Sequence, residues 1–224
     1  MLNLRLILES LGFVLSGLPY TLGISFLSFL TGLLLGLLLA FLRRSTSHFS
    51  HYLVRSYVSI MRGVPMIVVL FVLYFGLPYY GLELSALLCA YLGFSLVSAA
   101  YISEVFRASI DAIDQGQWEA ARALGLPYVS IVKHVILPQA FRIAIPPLGN
   151  VVIDMVKSSS LAAMITVPDI FQKAKIIGGR EWDYMSMYIL VAFIYWVIAF
   201  LLERCQGFLE KRLRFSLLKT EYLP

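Results

Sequence analysis

The chain has 224 residues, of which 60% are hydrophobic and only 14% are charged. This composition excludes an ordinary soluble domain and indicates that the lipid bilayer is the main solvent of the chain. The net charge of +5 does not by itself indicate a nucleic-acid partner, because membrane proteins collect Lys and Arg on their cytoplasmic loops for reasons of orientation.

The predicted membrane spans are helices, because the apolar runs are continuous and about twenty residues long, unlike the alternating strands of a barrel. Residues 1–18 are predicted to form an N-terminal interfacial segment. The first span follows within the uncharged run between Glu9 and Arg43. The later spans are predicted at 63–82, 84–103, about 143–168 and 184–202. The predicted fold class is therefore an all-α integral membrane protein with five transmembrane helices per subunit.

The distribution of cations predicts the orientation of these spans. Cations are concentrated after span one, after span three and in residues 205–224, which are predicted to be a cytoplasmic C-terminal tail. On the opposite side, Lys173, Lys175 and Arg180 are offset by nearby carboxylates. The positive-inside rule then places the N-terminus outside and the C-terminus in the cytoplasm.

The predicted cytoplasmic stretch after span three contains two short helices. Gly125 suits a left-handed helix end, and Pro127 suits the first turn of a second short helix. Alanines in the first helix would let a partner backbone approach closely. From these residues alone, two interpretations stay open: a knob that docks into another protein, or an amphipathic loop that lies on lipid headgroups.

Four ordered blocks of sequence resemble a known family. Glu119-Ala120-Ala121, then Gly125, then Val135-Ile136-Leu137-Pro138 resembles the EAA motif of binding-protein-dependent ABC transporter permeases, with Val135 in place of Ile. The blocks RSYVSIMRGVPMIVVLFVLYFGLP, SAAYISEVFRASIDAIDQGQWEAARALG and LPQAFRIAIPPLGN followed by VKSSSLAAMITVPDIF extend the resemblance to the polar amino-acid permeases.

This resemblance implies a type I importer fold over residues 19–204, with coupling helices at about 117–136. It implies a bacterial inner-membrane permease that works by alternating access. The implied partners are a second permease subunit, identical or a sister chain, two cytoplasmic ATPase subunits and an external amino-acid-binding protein. The residues implied to contact the ATPase are Glu119, Ala120, Ala121, Arg122, Gly125 and Pro138.

The chain itself contains no Gly-x4-Gly-Lys-Ser/Thr phosphate-binding sequence. We therefore expect that it binds no cofactor and is not an enzyme, and that ATP and Mg are used by the partner ATPase. Cys89 and Cys205 lack a metal-binding spacing, so neither a disulfide framework nor a zinc site is predicted.

A charged pair near the middle of predicted span four is the first candidate substrate site. Asp154 and Lys157 share a helix face. Placing an ion at mid-membrane costs about 2.5 to 3.5 kcal/mol, so some interaction must offset this cost. Either the two groups only neutralise each other, or they line a polar cavity with Ser158, Ser159 and Ser160, whose hydroxyls equally permit close helix packing. Pro146 and Pro147, followed by Asn150, are expected to bend or interrupt the helix before this pair.

A second set of candidates lies at the cytoplasmic end of span three, where Tyr101, Glu104 and Arg107 share a helix face. Either Glu104 and Arg107 pair locally, or Arg107 turns inward to meet a substrate carboxylate or Asp154. Arg62-Gly63-Val64-Pro65 resembles the family's Arg-Gly-Thr-Pro, and we assign no chemistry to it because Pro suits a helix start.

The resemblance also bears on the substrate, because several relatives that carry cationic amino acids have Glu after the Asn of this block, where this chain has Val151. Cystine or another neutral polar amino acid is the expected substrate. Two other functions remain as alternatives. A passive channel could use Asp154 and Lys157, and transport without an ATPase would support it. A membrane-embedded enzyme is disfavoured because the three histidines fall in predicted loops and no HExxH or GxSxG occurs, so no catalytic residue is predicted.

Overall fold

The computed structural model describes residues 2–44 and 48–221, with side chains described as far as residue 212. All regular secondary structure in this part of the chain is helical. In chain order the α-helices are α1 Leu4–Leu15, α2 Leu18–Arg43, α3 His48–Gly63, α4 Met66–Phe71, α5 Ala86–Asp111, α6 Gln115–Ala123, α7 Tyr128–Ser130, α8 Leu137–Ser158, α9 Ile170–Glu181 and α10 Tyr184–Glu221.

Four helical stretches of the described chain are long and apolar enough to cross a membrane. They are Leu18–Arg43, Ala86–Asp111, Tyr128–Ile165 and Tyr184–Arg212. A fifth span exists if His48–Gly63 and Met66–Tyr80, which meet at an angle of 103°, are one broken span. The bend falls at Pro65, which has an extended backbone (ψ 137°) and disfavours helical geometry in the preceding residue. The all-α membrane fold is thus confirmed.

The centre of the fold is the close contact between α2 and α5. A side-chain carbon placed on Gly36 would lie 2.9 Å from the carbonyl oxygen of Ala99, so only glycine allows this approach. Ser28 Oγ donates a hydrogen bond to the carbonyl of Tyr91, and Ser98 Oγ donates to the carbonyl of Ser28. Small residues and serine hydroxyls commonly join membrane helices in this way.

Two details of the expected helix pattern are wrong. The helix begun after Pro127 is not short, because helical structure continues without a gap from Tyr128 to Ile165. Pro146 and Pro147 do not interrupt it either, since both lie inside α8, and the alternative of a bend at these prolines stays a prediction. Membrane helices tolerate interior proline where neighbouring groups satisfy the backbone. The carbonyls that lose a helical partner are those of Arg142 and Ile143, four residues before the two prolines, and Gln206 of α10 joins this region by donating from Nε2 to the carbonyl of Pro146 at 3.0 Å.

Helix α10 also continues to Glu221, so the segment predicted as a tail begins as an extension of the last membrane helix. The position of this segment in the cytoplasm stays a prediction, as does the boundary of the permease domain at residue 204.

A fully buried carboxylate, that of Asp169, ties α9 to the rest of the fold. Asp169 Oδ1 accepts the backbone N–H of Gln172 at 2.8 Å and so caps the start of α9. Its Oδ2 accepts from the hydroxyl of Tyr195 on α10 at 3.3 Å. The next backbone N–H, that of Ile170, donates to Thr21 Oγ1 on α2. Burial raises the pKa of Asp169 to about 6, from an ordinary value of 3.8.

The raised pKa predicts a pH-dependent stability. The folded state binds the Asp169 proton more tightly than the unfolded state, so the protein gains stability as the pH falls through about 6. Asp169→Asn keeps a helix cap but cannot titrate, and Asp169→Ala loses about 1 kcal/mol of capping. In detergent, we expect the unfolding temperature of the wild type to rise relative to that of Asp169→Asn as the pH falls from 7 to 5. An unchanged difference between these two proteins would contradict the burial argument.

Candidate functional site

A cavity of about 510 Å³ opens where the α3–α4 bend faces α5 and α8. The bend supplies Arg62–Met66, α5 supplies Phe94, Val97, Ser98 and Tyr101, and α8 supplies Val151, Asp154, Met155, Lys157 and Ser158. The walls are therefore largely apolar, with charged groups of both signs at defined places. This is the usual construction of a site for a small molecule.

Asp154 and Lys157 form the ion pair that their spacing predicts, with Lys157 Nζ 2.9 Å from Asp154 Oδ1. Both groups remain accessible, since 71% of the Asp154 side chain and 54% of the Lys157 side chain are uncovered. Both residues also face a second groove of about 420 Å³ between α8 and α10. The pair thus neutralises its own charges and is still open to the cavity.

Only one of the three consecutive serines reaches this cavity. Ser158 lines it, whereas Ser159 is fully buried and donates from Oγ to the carbonyl of Val156. Ser160 donates to the carbonyl of Lys157. Asn150 lies in the second groove, where its Oδ1 accepts from Gln206 Nε2 at 3.2 Å. The structure therefore separates Ser159, Ser160 and Asn150 from the cavity wall.

The carboxylate of Glu104 lies among guanidinium groups from three helices. It accepts from Arg43 of α2 and, at 2.9 Å, from Arg107 of α5, and Arg62 of α3 lies 3.8 Å away. Only 17% of the Glu104 side chain is exposed. Arg107 also donates to Asp111 at 2.9 Å. The structure thus contains the local pair of Glu104 and Arg107, and the Arg107 ion pairs are directed to Glu104 and Asp111.

No chemical role was predicted from sequence for Arg62–Pro65, yet the structure places this segment on the cavity wall. The guanidinium of Arg62 lies 5.5 Å from the ring centre of Tyr101, which also faces the cavity. The sequence signal that could have identified this wall is a charged residue at the start of an apolar run, followed by a helix-breaking proline.

The EAA-like segment forms a compact projection at the end of the α2–α5 pair. Trp118 stacks on Tyr128 with ring centres 6.3 Å apart, and the Arg44 guanidinium lies 6.0 Å from the Trp118 ring centre. Gly125 adopts a positive φ of 73°, and its N–H bonds to the carbonyl of Arg122. The predicted break after α6 is therefore present.

Most residues expected at the coupling surface are on the outside of this projection. The exposed ones are Glu119, Ala120, Arg122, Gly125 and Pro138. Ala121 instead is buried and packs with Ile131 and Ile136, so it holds α6 against the following helix. An exposed face with a carboxylate, a small residue and a guanidinium is thus held on a rigid base.

Residues 32–215 match the family of binding-protein-dependent transport system inner membrane components. The chain belongs to this family. A probable amino-acid ABC transporter permease, YckA of Bacillus subtilis, is 52% identical over 94% of this chain and 93% of the relative. The L-cystine transport system permease TcyB of the same organism is 42% identical over 88% of this chain and 85% of the relative.

Solved structures agree with the family assignment. The crystal structure of an amino acid ABC transporter with histidines has a chain that is 32% identical to this permease. The two superpose with a TM-score of 0.91 and cover 95% of this chain and 99% of the other. An inward-facing methionine ABC transporter, 20% identical, shares the fold with a TM-score of 0.73 over 91% of this chain and 97% of the other. These findings confirm the resemblance to ABC importer permeases and their multi-pass membrane fold.

The Glu104 cluster predicts an unequal response to the removal of two carboxylates. Glu104→Gln leaves three guanidinium groups around a neutral side chain, and breaking such a largely buried ion pair costs about 3 kcal/mol. Asp111→Asn is the matched control, because Asp111 also contacts two arginines but its side chain is 46% exposed. Thermal unfolding in detergent should show a clear loss for Glu104→Gln and a small one for Asp111→Asn. Equal losses would contradict a structural role specific to Glu104.

Proposed function

We propose that this permease is the membrane subunit of an ATP-driven, binding-protein-dependent importer of amino acids, with a preference for cystine or other neutral polar substrates. The observation that carries the proposal is the 510 Å³ cavity, whose wall holds charges of both signs. A zwitterionic amino acid needs a cation for its carboxylate and an anion for its ammonium group. Arg62, Lys157 and Asp154 offer both kinds of group.

The charge balance of the wall supports the preference for neutral substrates. Two cations, Arg62 and Lys157, face the cavity with one anion, Asp154. A third positive charge on a substrate side chain would be repelled there, whereas a neutral polar side chain would not. The similarity to an L-cystine permease points in the same direction.

A second permease subunit, identical or a sister chain, would complete this cavity. In a single chain the Asp154 and Lys157 side chains stay more than half uncovered on a membrane-spanning helix. Charged groups at membrane depth face a helix-bundle interior or a water-filled space, not lipid. The dimer interface and the transport path therefore belong on this side of the permease, and an external binding protein would deliver the substrate to it.

The projection around α6 supplies the connection to the motor. Two partner ATPase subunits would bind ATP and Mg. Each would also bind the exposed face of one projection, which carries Glu119 and Arg122. Closure of the ATPases would draw the two projections together and turn the cavity outward, and hydrolysis would return it inward. This arrangement requires the C-terminus in the cytoplasm and the N-terminus outside.

A charge reversal on the projection tests this coupling. Glu119→Lys places a cation at the proposed ATPase interface, so we expect loss of ATPase co-purification and a fall of more than about tenfold in ATP-dependent uptake. Gly125→Trp should act similarly, because φ of 73° strains any side chain there. Glu9→Lys is the control, since it makes the same charge change on exposed α1.

The assay is uptake of labelled amino acids into proteoliposomes that contain the permease, its ATPase and its binding protein. Wild-type uptake and co-purification for Glu119→Lys would contradict the proposed interface. Equal uptake with and without the ATPase would instead support a passive channel.

A further inference from the structure

We propose that Arg62 is the specificity-determining residue that binds the α-carboxylate of the substrate in the cavity. This inference rests on the proposed function and adds to it a defined orientation of the substrate. Arg62 lies at the end of α3, immediately before the 103° bend, and it lines the cavity. The ligand class is any α-amino acid that retains a free carboxylate.

The cations near the cavity differ in how tightly each is already paired. Arg43 and Arg107 donate hydrogen bonds to Glu104. Arg62 is 3.8 Å from the same carboxylate, which is beyond hydrogen-bond range and leaves only Coulomb attraction. Its side chain is also 45% exposed. An incoming carboxylate therefore displaces less at Arg62 than at either of the other two arginines.

Arg62 also differs from Lys157, the other cation on the wall, in its distance from an acidic partner. Lys157 Nζ is 2.9 Å from Asp154 Oδ1, so a substrate carboxylate at Lys157 would compete with a carboxylate already in contact. It would also approach the negative charge of Asp154. At Arg62 the nearest acidic partner is farther away and is shared with two other arginines.

The geometry of the Arg62 guanidinium also suits a carboxylate. The Tyr101 ring, 5.5 Å away, offers a face on which the planar group can stack, and Tyr101 belongs to the same wall. A guanidinium held in this way presents a fork of N–H groups that matches a carboxylate in a bidentate manner. Lysine at this position would keep the charge but lose both the fork and the stacking.

Asp154 completes the orientation. It lines the same cavity as Arg62, and 71% of its side chain is uncovered. Lys157 contacts Oδ1 of Asp154, so a substrate whose carboxylate meets Arg62 can direct its ammonium group to Oδ2, while its side chain lies against the apolar wall. Amines without a carboxylate would lose the contact with Arg62.

The test measures direct binding to the purified permease–ATPase complex without the binding protein, which has its own selectivity. The probes are radiolabelled L-cystine, L-histidine and L-arginine, each competed with the unlabelled amino acid or with its decarboxylated amine, cystamine, histamine or agmatine. For the amino acid that binds best, we expect the amine to compete about 10- to 100-fold more weakly in the wild type, as for loss of a charge-assisted hydrogen bond.

Three variants separate carboxylate binding from a structural effect. In Arg62→Gln the amino acid should bind as weakly as its amine, and the amine should compete as it does in the wild type. Arg62→Lys, which keeps the charge near Glu104, should give intermediate discrimination. Arg43→Gln is the matched control, because it also removes a hydrogen-bond partner of Glu104 but lies neither on the cavity wall nor in the neighbouring groove that Arg62 shares with Arg107, and it should retain full discrimination.

The outcomes separate this inference from the proposed function. Full discrimination in Arg62→Gln and Arg62→Lys, or loss of discrimination in Arg43→Gln alone, overturns the assignment to Arg62 and leaves amino-acid transport standing. Equal binding of an amino acid and its amine by the wild-type complex likewise overturns the assignment to Arg62 and leaves amino-acid transport standing. Failure of the wild-type complex to take up any amino acid, with ATP and the binding protein present, overturns both.

Discussion

The carboxylate of Glu104 is the interaction on which the arrangement of the site depends. It attracts arginines that are far apart in sequence, Arg43 at the end of α2 and Arg62 at the end of α3, as well as Arg107 one turn along its own helix. The end of α2 is thereby hydrogen-bonded to α5, and the end of α3 is held near the same largely buried anion by Coulomb attraction. Because α3 ends at this anion, the bend into α4 has a defined position, and the bend forms one wall of the cavity.

The close packing of α2 and α5 makes this cluster possible. Glycine at position 36 lets the two helices approach, so that Arg43 and Glu104 meet at the same end. At the far end of the fold, Asp169 and Thr21 perform a comparable function by tying α9 to α2 and α10. Between these two polar clusters the helices are mainly apolar, apart from the serine contacts of α2 with α5 and the cavity that holds Asp154 and Lys157.

Much of this fold could be predicted from sequence, because its signals are local. Uncharged runs indicated the membrane spans, and the spacing of three residues indicated both the Asp154–Lys157 pair and the Glu104–Arg107 pair. Gly125 indicated the end of α6, and its positive φ is present. The ordered sequence blocks indicated the family, which the match over residues 32–215 confirms.

The remaining features depend on contacts between distant segments. Pro146 and Pro147 suggest a bent or broken helix when read locally, but α8 continues through both residues and contacts α10 through Gln206. The three serines looked equivalent in sequence, and only the helix geometry decides that Ser158 alone faces the cavity. Arg62 looked like part of a helix boundary, because its relation to Tyr101 and Glu104 spans about forty residues of sequence.

The most direct test of the account is whether the cavity changes its exposure with the state of the ATPase. Ser158→Cys on a Cys89→Ala, Cys205→Ser background places one thiol on the cavity wall. In proteoliposomes with all partners, we expect a membrane-impermeant thiol reagent on the binding-protein side to label this cysteine faster in the ATP-trapped state than in the nucleotide-free state. Bound amino acid should slow the labelling. Equal rates in both states, with no protection by any amino acid, would contradict a cavity that serves as the transport path.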